Sequence, residues 1–93
     1  MALTFEWDPS KARTNLAKHG VSFEEASTIF RDAFSLTIHD PLHSETEDRF
    51  VTIGSSHRRK LIVVVHTERG DNIRIISARP ASRREKRSYE KTR

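Results

Sequence analysis

The sequence Ile73-Arg74-Ile75-Ile76-Ser77-Ala78-Arg79, which runs directly into residues 80–89 (PASRREKRSY), decides the fold of this chain. Its isoleucines predict a β-strand, because β-branched side chains suit a pleated, half-buried surface. A helix follows, since Ser82 and Glu85 have the spacing of a capping box, in which a hydroxyl and a carboxylate satisfy free N–H groups of the first turn. The chain is therefore predicted to pass from a strand into a C-terminal helix.

Positive charge is concentrated in this same segment. Residues 79–93 contain seven Lys/Arg and two Glu, a net charge of +5, so residues 1–78 carry −1 of the total of +4. This asymmetry predicts a polyanionic partner for the tail. We expect phosphate-backbone contacts, with a solvated basic surface as the alternative, from the cations of the tail and of a basic turn before the central strand: Arg58, Arg59, Lys60, Arg83, Arg84, Lys86 and Arg87.

Length and composition predict a single domain over residues 1–93 with a thin core. The hydrophobic fraction of 34% is low and the charged fraction of 32% is high, but clear capping signals argue against disorder. The lack of cysteine excludes disulfides and thiolate metal sites. Because no apolar run has the length of a membrane span and residues 1–8 do not resemble a signal peptide, the expected location is the cytoplasm.

Capping signals predict two helices in the first third of the chain. After a short strand over residues 3–7, Asp8 is the expected N-cap of a helix that ends at Gly20. The apolar stripe of this helix is meagre and includes Leu16. Ser22 and Glu25 have the spacing of a second capping box, which predicts a helix with the following core residues: Phe23, Ala26, Ile29 and Phe30.

Alternation of apolar and polar residues predicts four further strands: residues 34–39, 49–53, 60–67 and 74–79. The first has one buried face, the second ends at Gly54, and the third is apolar on both faces and therefore central. A turn over residues 68–71 joins the last two strands as an antiparallel hairpin. The order β-α-α-β-β-β-β-α is typical of a small α+β domain whose helices pack against a mostly antiparallel sheet.

Three stretches of the chain resemble the BrnT toxin family. They are Phe5-Glu6-Trp7-Asp8, residues 18–26 (KHGVSFEEA), and residues 74–79 (RIISAR) together with Glu85 and Tyr89. The resemblance implies a RelE-like fold, a ribonuclease activity that stops translation, and a ribbon-helix-helix antitoxin as partner. It also implies that operator DNA is reached only indirectly, through the toxin–antitoxin complex that represses its own operon.

Cleavage of an RNA phosphodiester needs a base, an acid, and cations that stabilise the charge building up on phosphate. Arginine suits phosphate because its planar guanidinium donates two hydrogen bonds at once. Given the ribonuclease activity that the resemblance implies, we expect a metal-independent endoribonuclease without a cofactor. Its candidate catalytic residues lie on the predicted sheet and the C-terminal helix: Arg79, His66, Arg74, Arg49 and Tyr89.

Strand parity decides which candidates share a face of the sheet. Arg74 and Arg79 are five residues apart, so they point to opposite faces of a regular strand unless a bulge or the strand end re-aims Arg79. A tight hairpin turn places His66 opposite Ile75 and on the face of Arg79, although a one-residue slip reverses this register. Parity thus favours Arg79 over Arg74.

Each candidate also has a structural interpretation. Arg79 could pair with Glu85 and anchor the C-terminal helix, and Tyr89 could dock the same helix. Arg49 could neutralise the acidic residues that precede it, while His66 could be a satisfied histidine near a turn. These interpretations stay open at the level of the sequence.

Other sites and functions are less well supported. His39-Asp40-x-x-His43 with Glu45 and Glu47 weakly suggests a metal site, but the mixed ligands in a loop argue against one. The alternative functions are a non-catalytic subunit of a DNA-binding repressor complex and a small RNA-binding module. Stacking aromatics expected of the latter are scarce on the sheet, where Phe34 and Phe50 are the candidates.

Overall fold

The computed structural model describes residues 3–40 and 47–91 and confirms the predicted order of elements. A 3₁₀ turn at Thr28–Arg31 extends the second helix. The helices and strands are β1 (Thr4–Glu6), α1 (Pro9–His19), α2 (Phe23–Ser27), β2 (Leu36–Asp40), β3 (Arg49–Ser55), β4 (Leu61–Arg69), β5 (Asn72–Pro80) and α3 (Arg83–Glu90).

One five-stranded sheet, in the order β1-β5-β4-β3-β2, organises these elements. Only the pairing of β1 with β5 is parallel, so the predicted α+β class with a mostly antiparallel sheet is confirmed. The helices α1 and α2 cover one face, where the core residues include Phe23, Ile29, Val64 and Ile75. We call the opposite side the open face. It carries Glu6, Leu36, Ile38, Asp40, Arg49, Val51, Ile53, Val63, Val65, Thr67, Arg74 and Arg79.

The helix α1 has the predicted ends, but one residue of its predicted apolar stripe is not buried. Asp8 caps its N-terminus, and Gly20 ends it with a φ of 71°, a left-handed conformation that glycine adopts without a Cβ penalty. The predicted core residue Leu16 is 50% exposed, so that assignment is wrong. The buried residue of α1 is the polar Asn15 instead.

The Asn15 side chain completes the outer edge of β5. The strand β1 pairs with β5 only at residues 72–74, so Ala78 lies beyond the end of β1. Asn15 Nδ2 donates to the carbonyl oxygens of Ala78 at 2.8 Å and Val21 at 3.0 Å, while Asn15 Oδ1 accepts from the Ala78 N–H at 3.1 Å. One amide side chain therefore satisfies three backbone groups that would otherwise be buried without partners.

The second capping box forms only in part. Ser22 Oγ accepts from the Glu25 N–H at 3.0 Å, as the spacing predicts. The Glu25 carboxylate, however, accepts a hydrogen bond from Ser56 Oγ at 2.7 Å. This buried contact ties α2 to the turn between β3 and β4, a long-range interaction that the local spacing does not reveal.

Two strand predictions need correction. The strand β2 lies at the edge of the sheet and does not have the predicted buried face, since Ile38 is 65% exposed. The strand β3 does not end at Gly54 but continues to Ser55. Gly54 is buried inside the strand, where a Cβ would lie 3.1 Å from Ile29, so the glycine permits a close approach of the 3₁₀ turn.

A β-bulge in the hairpin between β4 and β5 sets the facing of the candidate residues. His66 pairs with Ile75, as predicted, but Val65 pairs with Ser77, which leaves Ile76 as an extra residue in β5. The bulge reverses side-chain parity beyond it and places Arg74 and Arg79 on the same face. His66 points to the helix-covered face, so the prediction that it shares a face with Arg79 is wrong.

Replacement of Asn15 by Ala should lower the free energy of unfolding by about 3 kcal/mol, because three buried backbone groups lose their partner. Urea unfolding followed by circular dichroism measures this change. Thr14→Ala, at an exposed neighbouring position of α1, is the matched control and should change stability by less than about 0.5 kcal/mol. Similar stability of the two variants would contradict the proposed role of Asn15.

Candidate active site

A row of charged and polar residues crosses all five strands on the open face. Its members are paired in register in the following order: Asp40, Arg49, Thr67, Arg74 and Glu6. Neighbouring strands lie roughly 4.8 Å apart, so the two arginines flank Thr67 from either side. A carboxylate stands at each end of the row. This row of two cations around one hydroxyl is the candidate anion-binding site.

Contacts within the row orient one of the arginines. Arg74 Nη1 donates to Glu6 Oε2 at 2.9 Å, and the Asn72 side-chain amide donates to the other oxygen of the same carboxylate. Thr67 is 3% exposed, and its Oγ1 finds no hydrogen-bond partner among the described residues. This hydroxyl is itself buried, so the charge of an anion above it would be met by the two arginines.

Arg79 lies on the same face, at the position on β5 opposite Val63. Its Nη1 and Nη2 donate to the two carboxylate oxygens of Glu85, each at 2.8 Å. The hydrogen bonds from Arg79 hold the pKa of Glu85 at about 2, so the carboxylate stays ionised. The predicted structural interpretation, an ion pair that anchors α3, is present, and the Arg79 side chain is still 46% exposed.

His66 is fully buried on the opposite face of the sheet. Its Nε2 forms a hydrogen bond of 2.8 Å with Thr52 Oγ1, and its ring packs between Phe30 and Phe50. Burial lowers the pKa of His66 to about 4, so the imidazole is neutral at pH 7. The structural interpretation as a satisfied histidine holds for Nε2 but not for Nδ1, which is buried without a hydrogen-bond partner among the described residues. RNA does not reach this ring without a rearrangement of the core.

Tyr89 docks α3 onto the domain. Its side chain is buried, and its hydroxyl donates to Asp32. The Asp32 carboxylate also accepts from the backbone N–H groups of Phe34 at 2.9 Å and Ser55 at 2.8 Å. These contacts fit the structural interpretation of Tyr89, while its predicted catalytic role stays a prediction.

The predicted phosphate contacts form two exposed groups that meet at a cleft. Arg58, Arg59 and Lys60 lie in the turn between β3 and β4, and the cations of α3 are exposed as well: Arg83, Arg84, Lys86 and Arg87. Arg59, Lys60 and Lys86 together line a cleft of about 650 Å³. The fold thus unites cations that are far apart in the sequence.

The residues of the suggested metal site are only partly described. His43 and Glu45 lie outside the described residues, while His39 contacts Asp48 at 3.2 Å and Glu47 pairs with Arg69. Among residues 3–40 and 47–91, no three His, Cys, Asp or Glu side chains are grouped so that they could hold a metal ion. Nor is any helix in these ranges long and apolar enough to cross a membrane.

Sequence analysis missed Glu6 and Thr67 and named Asp40 only as a candidate metal ligand. Glu6 joins it only because β1 pairs in parallel with β5, a contact between residues 68 positions apart. Thr67 is next to the candidate residue His66 in the sequence, so the two side chains are expected on opposite faces of the strand. This alone gives little reason to choose Thr67. Only the strand register shows that it sits between Arg49 and Arg74.

Comparisons with known proteins agree with this architecture. A family model described as the ribonuclease toxin BrnT of type II toxin–antitoxin systems matches residues 7–85. The 1.1 Å crystal structure of the Brucella abortus ribonuclease toxin BrnT is similar, with a TM-score of 0.63 and 26% sequence identity; the match covers 88% of this chain and 100% of that chain. A search of curated proteins found no match. The matched range contains Arg49, Thr67, Arg74 and Arg79.

The burial of His66 predicts a pH-dependent stability. Its pKa is about 4 in the folded chain against 6.5 when exposed, so unfolding takes up a proton between these values. The contribution of neutral His66 to the free energy of unfolding is fully present above pH 6.5 and is lost as the pH falls towards 4. Between pH 7 and pH 5 the free energy of unfolding should fall by about 2 kcal/mol. Urea unfolding at several pH values measures this slope.

Two variants assign the slope to this residue. His66→Gln should flatten the dependence, whereas His57→Gln, at an exposed histidine, should retain it. Equal slopes for wild type and His66→Gln would show that another group titrates.

Proposed function

The chain belongs to the BrnT family of ribonuclease toxins from type II toxin–antitoxin systems, and from this premise we propose that it is a metal-independent endoribonuclease. RNA is cleaved on the open face, and the loss of intact RNA inhibits translation in the cytoplasm. The observation that carries the proposal is that Arg49, Arg74 and Arg79 lie on the same face of the sheet. Three guanidinium groups are therefore present on that face.

The proposed chemistry is attack of the RNA 2′-hydroxyl on the neighbouring phosphorus, which forms a 2′,3′-cyclic phosphate and breaks the bond from phosphorus to the 5′-oxygen of the next nucleotide. Negative charge grows on the phosphate oxygens in the transition state, and arginine N–H groups fixed at that position stabilise it. Arg49 and Arg74 hold the phosphate over Thr67, and Arg79 adds a third cation from the same face. Glu85 keeps Arg79 oriented until RNA competes for its N–H groups.

Proton transfer falls to the carboxylates of the row. The histidines of the described strands, His39 and His66, both lie on the face opposite the row. Glu85 is a very weak base because its pKa is about 2. We therefore assign acceptance of the 2′-hydroxyl proton to one of the carboxylates at the ends of the row, either Glu6 beside Arg74 or Asp40 beside Arg49. The departing 5′-oxygen takes its proton from water.

A ribbon-helix-helix antitoxin is the proposed protein partner. An apolar groove of about 330 Å³ separates α3 from the sheet and is lined by Leu36, Ile38, Val51, Ile53 and Val63. An antitoxin segment in this groove covers exposed apolar surface and blocks access to the arginines beside it. Operator DNA is contacted only through the antitoxin in this arrangement.

Purified protein should cleave single-stranded RNA in the presence of excess EDTA, and the cognate antitoxin should inhibit it. Both effects can be followed by gel electrophoresis of a labelled RNA. The double variant Arg49→Ala/Arg74→Ala is the matched control for contaminating nuclease and should lose cleavage. Intact RNA after incubation with folded wild-type protein would favour the alternative of a non-catalytic repressor subunit.

Arg79→Ala should lower the single-turnover cleavage rate by roughly two to three orders of magnitude, the usual loss for one charge-stabilising donor. Glu85→Gln is the matched control, because it weakens the same ion pair but retains the cation on the open face. Its cleavage rate should stay near that of wild type. Circular dichroism must show both variants folded.

The two variants separate catalysis from anchoring of α3. If Arg79→Ala and Glu85→Gln lose cleavage to the same extent, the ion pair acts by anchoring α3 and not through the cation of Arg79. If neither loses cleavage, Arg79 lies outside the active site.

A further inference from the structure

A second cleft lies on the other side of α3 from the apolar groove. Lys86, Tyr89 and Glu90 line it from the helix, whereas Arg84, Glu85 and Ser88 border the groove. Its volume of about 650 Å³ falls within the roughly 300–1,000 Å³ of small-molecule sites. The cleft is thus separate from the row of residues around Thr67 and large enough to receive a nucleotide.

An exposed aromatic ring forms one wall of this cleft. Phe34 precedes β2, lines the cleft and is 48% exposed. Its backbone N–H donates to Asp32, whose carboxylate also accepts from Ser55 and from the Tyr89 hydroxyl. Phe34 is therefore held in place at its backbone, while about half of the residue is exposed to solvent.

Three cations face the same space, and one of them is held in an unfavourable backbone conformation. Arg59 has a φ of 62°, in the left-handed region that glycine adopts far more readily. Its N–H donates to the Ser56 carbonyl at 2.8 Å, and the buried Ser56 side chain is bonded to Glu25. The fold thus imposes strain at a position where it presents a long cationic side chain to the cleft.

We propose that this cleft binds one unstacked nucleotide of single-stranded RNA, with its base stacked on Phe34 and its phosphates held by Arg59, Lys60 and Lys86. The proposal rests on the proposed function and adds a substrate-binding subsite away from the scissile phosphate. Asp32 and Glu90 also line the cleft. Among the described residues, the Asp32 carboxylate accepts hydrogen bonds from the Phe34 and Ser55 N–H groups and the Tyr89 hydroxyl, so it orients the residues that line the cleft.

The subsite makes the protein selective for single strands. A base can stack on a protein ring only after it leaves its neighbours, which a duplex resists and a single strand allows. Such stacking accepts any base, because every base has an aromatic face. Duplex RNA of the same sequence should therefore compete poorly for the cleft.

Binding of a fluorescent single-stranded 2′-O-methyl RNA, followed by anisotropy, tests the subsite without cleavage, because the attacking hydroxyl is blocked. Phe34→Ala should weaken binding by roughly five- to 150-fold, the range measured for loss of one base–aromatic stack. Phe34→Trp should bind like wild type. Leu16→Ala, at a half-exposed apolar position on α1, is the matched control and should also bind like wild type.

Arg59→Gly separates binding from folding. Glycine relieves the backbone strain, so the melting temperature should hold or rise, while RNA affinity falls. The slope of log affinity against log salt should decrease by about 0.7, the value for one lost phosphate contact to a single strand.

Two outcomes would overturn the proposal. In one, Phe34→Ala and Arg59→Gly bind the RNA as tightly as Leu16→Ala does. In the other, they lose affinity for the antitoxin and not for RNA, which makes the cleft a protein-binding site. Absence of cleavage by the wild type contradicts the proposed function instead, and the binding assay distinguishes the two failures because its probe is never cut.

Discussion

The hydrogen bonds between the Asn15 side chain and the Ala78 backbone are the constraint on which this small domain depends. They fasten α1 to β5 where β1 has already ended and the strand edge would lack partners. Ala78 follows the bulge at Ile76 by two residues, so the same contact fixes the strand where its parity has changed. The buried Asn15 amide thus forms the hydrogen bonds with the edge of β5 that a longer β1 would otherwise form.

The bulge connects this constraint to the candidate chemistry. A regular strand would turn Arg74 and Arg79 to opposite faces, and His66 would lie on the face of Arg79. The extra residue brings both arginines to the open face and leaves His66 in the core, where burial keeps it neutral. Which cations share a face of the sheet is therefore decided by a single extra residue in β5.

The C-terminal helix is held by polar contacts, which allows it to stay strongly basic. Its buried Tyr89 donates to Asp32, and its Glu85 pairs with Arg79, so the helix needs little apolar surface to dock. One flank borders the apolar groove and the other borders the cleft, while its cations remain exposed. The helix therefore serves as a partition between a surface proposed for the antitoxin and a cleft proposed for RNA.

The sequence by itself determined the elements and the charge asymmetry, because caps, periodicity and turns act between residues close in the chain. It also predicted the pairing of His66 with Ile75 on the condition that the hairpin turns tightly, and the structure has this pairing. Only the tertiary structure decided which side chains meet: Glu6 with Arg74, Glu25 with Ser56, and Asn15 with Ala78. Such contacts depend on strand order and on a bulge without a local signal, and a one-residue change in register moves every later side chain to the other face.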